Sequence, residues 1–204
     1  MGSRPDWMTR HGTPWQRGEG RVVYDNPWIR LTEYQATAPT GRSAQYGLVS
    51  FKNLAMAILP IHADGTVELV GQNRLPFSDY SWEIPEGGGP LQDDPLASAQ
   101  RELLEETGLA ASNWQEVLRI QLSNSVTDEL AIGYLATELN QVSENPEGDG
   151  TEDIARARIA FRDLLAAVID GHICDSLTVA MVLKAYHMAR EDALPRDLAA
   201  AMLG

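Results

Sequence analysis

Residues Gly87 to Leu109 read GGGPLQDDPLASAQRELLEETGL, and the part from Arg101 onward decides how the rest of the chain is read. Asp94 suits a helix N-cap, Pro95 the first helical position and Gly108 the residue after the end, so the spacing predicts a helix between them. On such a helix Glu102, Glu105 and Glu106 stand at i, i+3 and i+4 and share one face. Like charges at that spacing repel, and no surface helix needs them there for its stability. A divalent cation held among hard oxygen ligands would account for them. A solvated acidic face would also do so, and on the charges alone both readings stand. Leu96, Ala99 and Leu103 supply the apolar stripe of the helix. The three glycines at 87–89 either let backbone approach a metal or phosphate closely or form a flexible turn.

Working outward, the flanks alternate between strand and helix patterns. Val22-Val23-Tyr24 and Trp28 to Gln35 are rich in β-branched and aromatic residues, with Asp25-Asn26-Pro27 as the turn and the first regular segment starting at Arg21. Tyr46 to Phe51 reads as a further strand. Leu54 to Ile61 is a continuous apolar run, as expected of a strand buried on both faces. Ala63-Asp64-Gly65 is a hairpin turn into Val67 to Gln72. Ser81 to Pro85 leads into a loop, Glu86 to Pro90. Beyond the central helix, Trp114 to Ile120 and Glu129 to Ala136 read as strands, Gln141 to Asp153 as a polar acidic loop, and Phe161 to Ile169 and Ser176 to Arg190 as helices broken by Asp170-Gly171. This interleaving predicts an α/β sandwich with a mixed sheet. Residues 1–50 form a β-rich N-terminal extension and residues 51–204 the main domain.

Composition narrows the function classes. With 29 acidic against 16 basic residues, the net charge is −13. That surface repels nucleic-acid phosphates and anionic membranes, and no basic patch offsets it. A small anionic substrate remains possible where metal ions neutralise the local field. No apolar run approaches the roughly 20 residues of a membrane span. Residues Met1 to Gly20 are polar, with no signal-peptide core, so the expected location is the cytoplasm. The lone Cys174 excludes an internal disulfide and is expected to be a small buried filler. His62, His172 and His187 have no metal-ligand spacing.

The pattern G-x5-D-x7-R-E-L-L-E-E-T-G-L, running from Gly87 through Asp93 and Arg101 to Leu109, resembles the signature of the Nudix hydrolases. The family has Glu where this chain has Asp93. Gln72-Asn73-Arg74-Leu75-Pro76, Trp82 to Gly88 and Asp170 to Thr178 resemble three further segments of the branch that cleaves ADP-ribose and other nucleoside diphosphate sugars, and Asn26-Pro27-Trp28 resembles part of its N-terminal region. The resemblance implies an α/β/α sandwich. It also implies Mg²⁺-dependent (or Mn²⁺-dependent) hydrolysis of a nucleotide-sugar pyrophosphate to a nucleoside monophosphate and a sugar phosphate. ADP-ribose leads, with GDP-mannose or a similar sugar next.

Carried over residue by residue, the resemblance makes Glu102 and Glu106 the principal metal ligands. Glu105 is a further ligand or support with a catalytic part, and the Glu86 carbonyl is an added oxygen donor. Arg101 orients a signature carboxylate. Glu152, in the acidic loop, is the preferred general base ahead of Glu144, Glu147 and Asp153. Arg74, Trp28 and Glu83 are assigned to substrate: Arg74 is a phosphate clamp or a surface ion pair, and Trp28, like Tyr46 and Tyr80, stacks on a base or packs within its strand. The N-terminal extension is expected to support a homodimer. The alternatives are a nucleoside triphosphate or capped-RNA pyrophosphohydrolase, and a catalytically silent nucleotide sensor.

Overall fold

Asn26 builds its own turn. Its Oδ1 accepts hydrogen bonds from the amides of Trp28 (2.9 Å) and Ile29 (2.7 Å), a side-chain substitute for a backbone turn. In the computed structural model, which describes residues 4–144 and 153–204, this turn joins β1 (Gln16–Asp25) to β2 (Ile29–Thr37). With β3 (Ser43–Phe51) they form an antiparallel sheet of order β1-β2-β3. The first strand begins at Gln16, earlier than the expected Arg21. Gln16 pairs with Thr37 and Arg17 with Ala36, beyond a register shift between Arg17 and Gly20 that breaks the two-residue alternation. The sheet belongs to a unit made of two separate stretches, Met1–Lys52 and Ser123–Asp128. Val49 donates its amide to Val126 O (2.9 Å), Phe51 donates to Asp128 Oδ1 (3.0 Å), and the Tyr46 hydroxyl donates to Ser125 O.

The second unit, Asn53–Leu122 with Glu129–Gly204, is organised by β4 (Asn53–Pro60). Along it Ala57 and Leu59 point into one apolar cluster while Met56 and Ile58 point into another. The run is apolar without interruption because both faces are covered. β5 (Thr66–Arg74) and β6 (Asp79–Glu83) follow, then β7 (Glu86–Pro90), α1 (Pro95–Thr107), β8 (Leu109–Gln121), β9 (Leu130–Gln141), β10 (Ala155–Ala160), α2 (Phe161–Ile169), α3 (Ser176–Arg190) and α4 (Arg196–Leu203). One mixed sheet has the order β7-β4-β9-β8, with β4 and β9 parallel and the outer pairings antiparallel. A second antiparallel sheet has the order β10-β5-β6. Ala99 and Leu103 of α1 fill one cluster, and residues of α2, α3 and α4 fill the other. The result is the α/β/α sandwich expected, with a β-rich N-terminal region.

Several elements differ from the reading of the sequence. Glu86 to Pro90 is a strand rather than a loop: glycines carry no strand propensity of their own, but register with β4 from Asn53↔Pro90 to Ala57↔Glu86 imposes it. The edge strand β10 escaped notice because Ala155-Arg156-Ala157-Arg158 is polar and small where strands are usually branched, yet it pairs with β5 over its whole length. Helix α4 is a further element beyond the sequence reading, and no side chain caps its N-terminus. Cys174 is exposed rather than buried; Ile173 takes the inward position, and the Cys174 thiol turns out toward Gly171 O (3.4 Å). Among the described residues no helix is long and apolar enough to cross a membrane.

Candidate active site

Helix α1 begins and ends on side-chain and backbone features visible in its sequence. Asp94 accepts from the Leu96 amide (3.2 Å), Pro95 opens the first turn, and Gly108 closes the helix in the left-handed conformation, its amide reaching Leu104 O. These fixed ends set the rotation of the helix. Glu102 and Glu106 therefore fall on its inner side beside Ala99 and Leu103, and they are buried at 9% and 6% exposure. Glu105 stands at the rim, half-buried.

Strand β7 runs against this carboxylate face. A Cβ at Gly87 would lie 2.0 Å from the Glu102 carboxyl carbon, so any side chain here would have to displace that carboxylate. The Glu86 amide donates to Glu106 Oε2 at 3.0 Å. Arg101 joins three acceptors: Nη1 reaches Glu105 Oε2 (2.6 Å), and Nη2 reaches Glu102 Oε1 (2.6 Å) and Gly88 O (2.9 Å). These charge-assisted bonds fix two carboxylates against the glycine strand. In turn they hold the guanidinium charge above its ordinary pKa, against the opposing effect of burial. Asp93 is exposed and takes no part in this guanidinium network.

Behind β7 lies a second group of acids. Arg74 Nε reaches both Glu83 carboxylate oxygens (3.0 and 3.2 Å) and its Nη2 also pairs with Glu83, which is 2% exposed. Thr178 Oγ1 accepts from the Ile84 amide (3.0 Å) and donates to Glu86 Oε1 (3.4 Å), while the Thr178 amide donates to Asp175, the N-cap of α3 (2.7 Å). Burial, then the neighbouring charge and hydrogen bond of Asp175, then Glu83, push the Glu86 carboxyl well above its usual range; Arg74 opposes them.

The set gathers most of the predicted residues in one region but not all. Glu86, Arg101, Glu102, Glu105 and Glu106 form a connected network, and Arg74 and Glu83 are bonded to each other next to it. Trp28 is a 65% exposed ring in the first unit. Glu152 and Glu147 lie outside the described residues, Glu144 and Asp153 at their edge. Thr178 and Asp175 carry no signal in the sequence beyond their place at a helix start, where Asp175 caps α3. Arg156 had no signal: its Nη1 holds Thr107 O (3.0 Å), the last residue of α1, and its Nη2 holds Glu144 O (3.1 Å).

The donors suit a hard divalent cation in kind, being carboxylate and carbonyl oxygens with three acids against one guanidinium. Among the described residues they are not drawn together into a three-ligand cluster; they are spread along one face, with Arg101 across two of them.

Residues 52–172 match the family described as NUDIX domain. The chain belongs to the Nudix family. This Nudix chain is 32% identical to an ADP-ribose pyrophosphatase of Mycobacterium tuberculosis (strain ATCC 25618 / H37Rv), over 71% of the chain and 70% of that protein. It is 30% identical to a GDP-mannose pyrophosphatase of Yersinia pestis (strain Pestoides F), over 76% and 83% respectively. Among solved structures, one titled "Crystal structure of ADP compounds hydrolase" superposes with a TM-score of 0.79, covering 90% of this chain and 98% of that one at 16% identity. That likeness is one of fold. The protein is a Nudix hydrolase, and its signature is the β7–α1 pair built around Gly87 and Glu102.

Proposed function

We propose that this Nudix hydrolase cleaves the pyrophosphate of a nucleoside diphosphate sugar, with Mg²⁺ or Mn²⁺, to a nucleoside monophosphate and a sugar phosphate. ADP-ribose is the leading substrate and GDP-mannose the next. The observation that carries this reading is the α1 face: Glu102, Glu105 and Glu106 set against the glycine strand β7, which passes directly over the Glu102 carboxylate. The curated relatives support the substrate class, since one is named an ADP-ribose pyrophosphatase and another a GDP-mannose pyrophosphatase.

Glu102 and Glu106, with Glu105 and the Glu86 carbonyl, are the groups that would hold the cation. Bound there, such an ion neutralises diphosphate charge and lowers the pKa of a water. The chain's own contribution is positional. Arg101 keeps Glu102 and Glu105 in fixed rotamers, and the Glu86 amide does the same for Glu106. Glu83 holds the Arg74 fork in one plane, ready to meet a phosphate oxygen. Trp28 is assigned to the base, whose face any aromatic ring accepts. Glu152 is assigned to the proton of the attacking water, on the acidic segment that follows Glu144. The lone, exposed cysteine fits a reducing cytoplasm.

The test is a panel of nucleotide sugars, nucleoside triphosphates and capped RNA assayed with Mg²⁺ and product analysis. Release of AMP with ribose 5-phosphate, or GMP with mannose 1-phosphate, is expected to dominate. Turnover confined to triphosphates or caps would overturn the substrate class, and no turnover at all would leave a nucleotide sensor. Within the same assay Glu152→Gln is expected to lower kcat by roughly 10²-fold with little change in KM, the usual scale for loss of a general base.

A further inference from the structure

On the second unit, beside the Arg74–Glu83 pair, lies a cavity of about 360 Å³ that the signature does not line. Phe77, Tyr80 and Trp82 supply its apolar walls. The Tyr80 and Trp82 rings meet edge to face, centroids 5.8 Å apart. Tyr80 folds back across the sheet over Gly71, where a Cβ would come within 2.6 Å of its hydroxyl. Phe77, at the tip of the β5–β6 turn, is 84% exposed.

The polar groups of the cavity are unbalanced. Asp79, Glu83 and Asp175 contribute three carboxylates, and Arg74, already engaged by Glu83, is the one guanidinium. The carboxylates outnumber Arg74 and His172, so the interior of the cavity suits an uncharged, donor-rich group better than a further phosphate beyond the one Arg74 meets. Carboxylates only accept hydrogen bonds, so they suit a partner that offers many donors. A nucleobase presents donors and acceptors mixed along its edge; a sugar presents hydroxyls around a ring whose C–H faces suit aromatic walls. The volume lies at the low end for small-molecule sites, right for one ring and not for a whole dinucleotide. The cavity also adjoins the reaction region, because Thr178 bonds both Asp175 and the Glu86 carboxyl, and the Glu86 amide bonds Glu106.

We propose that the Phe77–Tyr80–Trp82 cavity is the sugar subsite: it seats the ring attached to the far phosphate, with carboxylates taking its hydroxyls and aromatic edges covering its face. The proposal rests on the reading of the protein as a nucleotide-sugar hydrolase and says which half of the substrate this pocket selects. Tyr80 and Trp82 are then specificity determinants.

The experiment measures binding of the two product halves separately, by calorimetry with ribose 5-phosphate, mannose 1-phosphate and AMP, so it does not depend on turnover. Tyr80→Ala and Trp82→Ala are expected to weaken at least one sugar phosphate about ten-fold, the loss of roughly one good aromatic contact, while AMP stays within about two-fold. Tyr80→Phe is expected to restore binding, and its melting temperature checks the fold. Loss of AMP instead, equal loss of all three ligands, or no change in any overturns the subsite. Failure of the nucleotide-sugar panel would overturn the parent reading by a different measurement.

Discussion

A methyl group at residue 87 would sit 2.0 Å from the Glu102 carboxyl carbon and 2.3 Å from both of its oxygens. Glu102 is 9% exposed and held by Arg101, so a shift of its carboxylate would disturb that bond. Gly87→Ala is therefore expected to move the carboxylate or push the strand away. A displacement of about 1 Å at a catalytic centre costs on the order of 10²-fold in rate, and kcat measured beside a thermal melt separates that from simple unfolding. Glu106→Gln makes the complementary test. Its amide oxygen still accepts the Glu86 N–H, so the fold is expected to hold while one negative charge leaves the proposed metal face. Turnover is expected to fall and the Mg²⁺ needed for half-maximal rate to rise; a near wild-type rate at limiting Mg²⁺ would remove α1 from the metal site.

Among the elements, α1 was the most legible because each of its signals is local. Asp94, Pro95 and Gly108 act within a turn of the helix ends, and the i, i+3, i+4 spacing fixes which carboxylates share a face. Asp94→Ala is expected to cost about 1 kcal/mol of stability, the usual worth of an N-cap, read as a lowered midpoint in urea unfolding. The helices α2 and α3 kept their expected bounds for the same reason, as an apolar period and an Asp175 cap are written in sequence. What sequence did not disclose is what only pairing creates. Glu86 to Pro90 became a strand because β4 offers it a full ladder, and Ala155 to Ala160 because β5 does. The Arg156 bonds to Thr107 O and Glu144 O join residues far apart in the chain, and no local pattern announces such contacts. The acid group of Glu83, Glu86 and Asp175 is likewise an outcome of folding, although each acid lies in a segment that sequence comparison had marked.

At the scale of the whole molecule, β1 is the feature to explain. Every residue in it is exposed, Val22, Val23 and Tyr24 by about half, and it forms the edge of its sheet. An unpaired apolar edge invites another strand, and symmetric pairing is the commonest way soluble chains satisfy one. We propose a homodimer that covers this strand. Light scattering at micromolar concentration is expected to give about twice the 22.4 kDa of one chain; a mass of one chain would refute it, and Val23→Lys is expected to shift a dimer toward monomer.

The N-terminal sheet is not a contiguous piece of the gene. Its unit borrows Ser123–Asp128 from the connection between β8 and β9, and that borrowed stretch is bonded to Val49 and Phe51 through Val126 O, the Asp128 amide and the Asp128 carboxylate. A fragment begun at Asn53 would strip these groups of their partners, and one ended at Lys52 would lack a strand-side patch of its own sheet. Recombining this front end with another Nudix catalytic half thus requires three crossovers rather than one, so gene fusion or shuffling must exchange the 123–128 connection together with the first 52 residues.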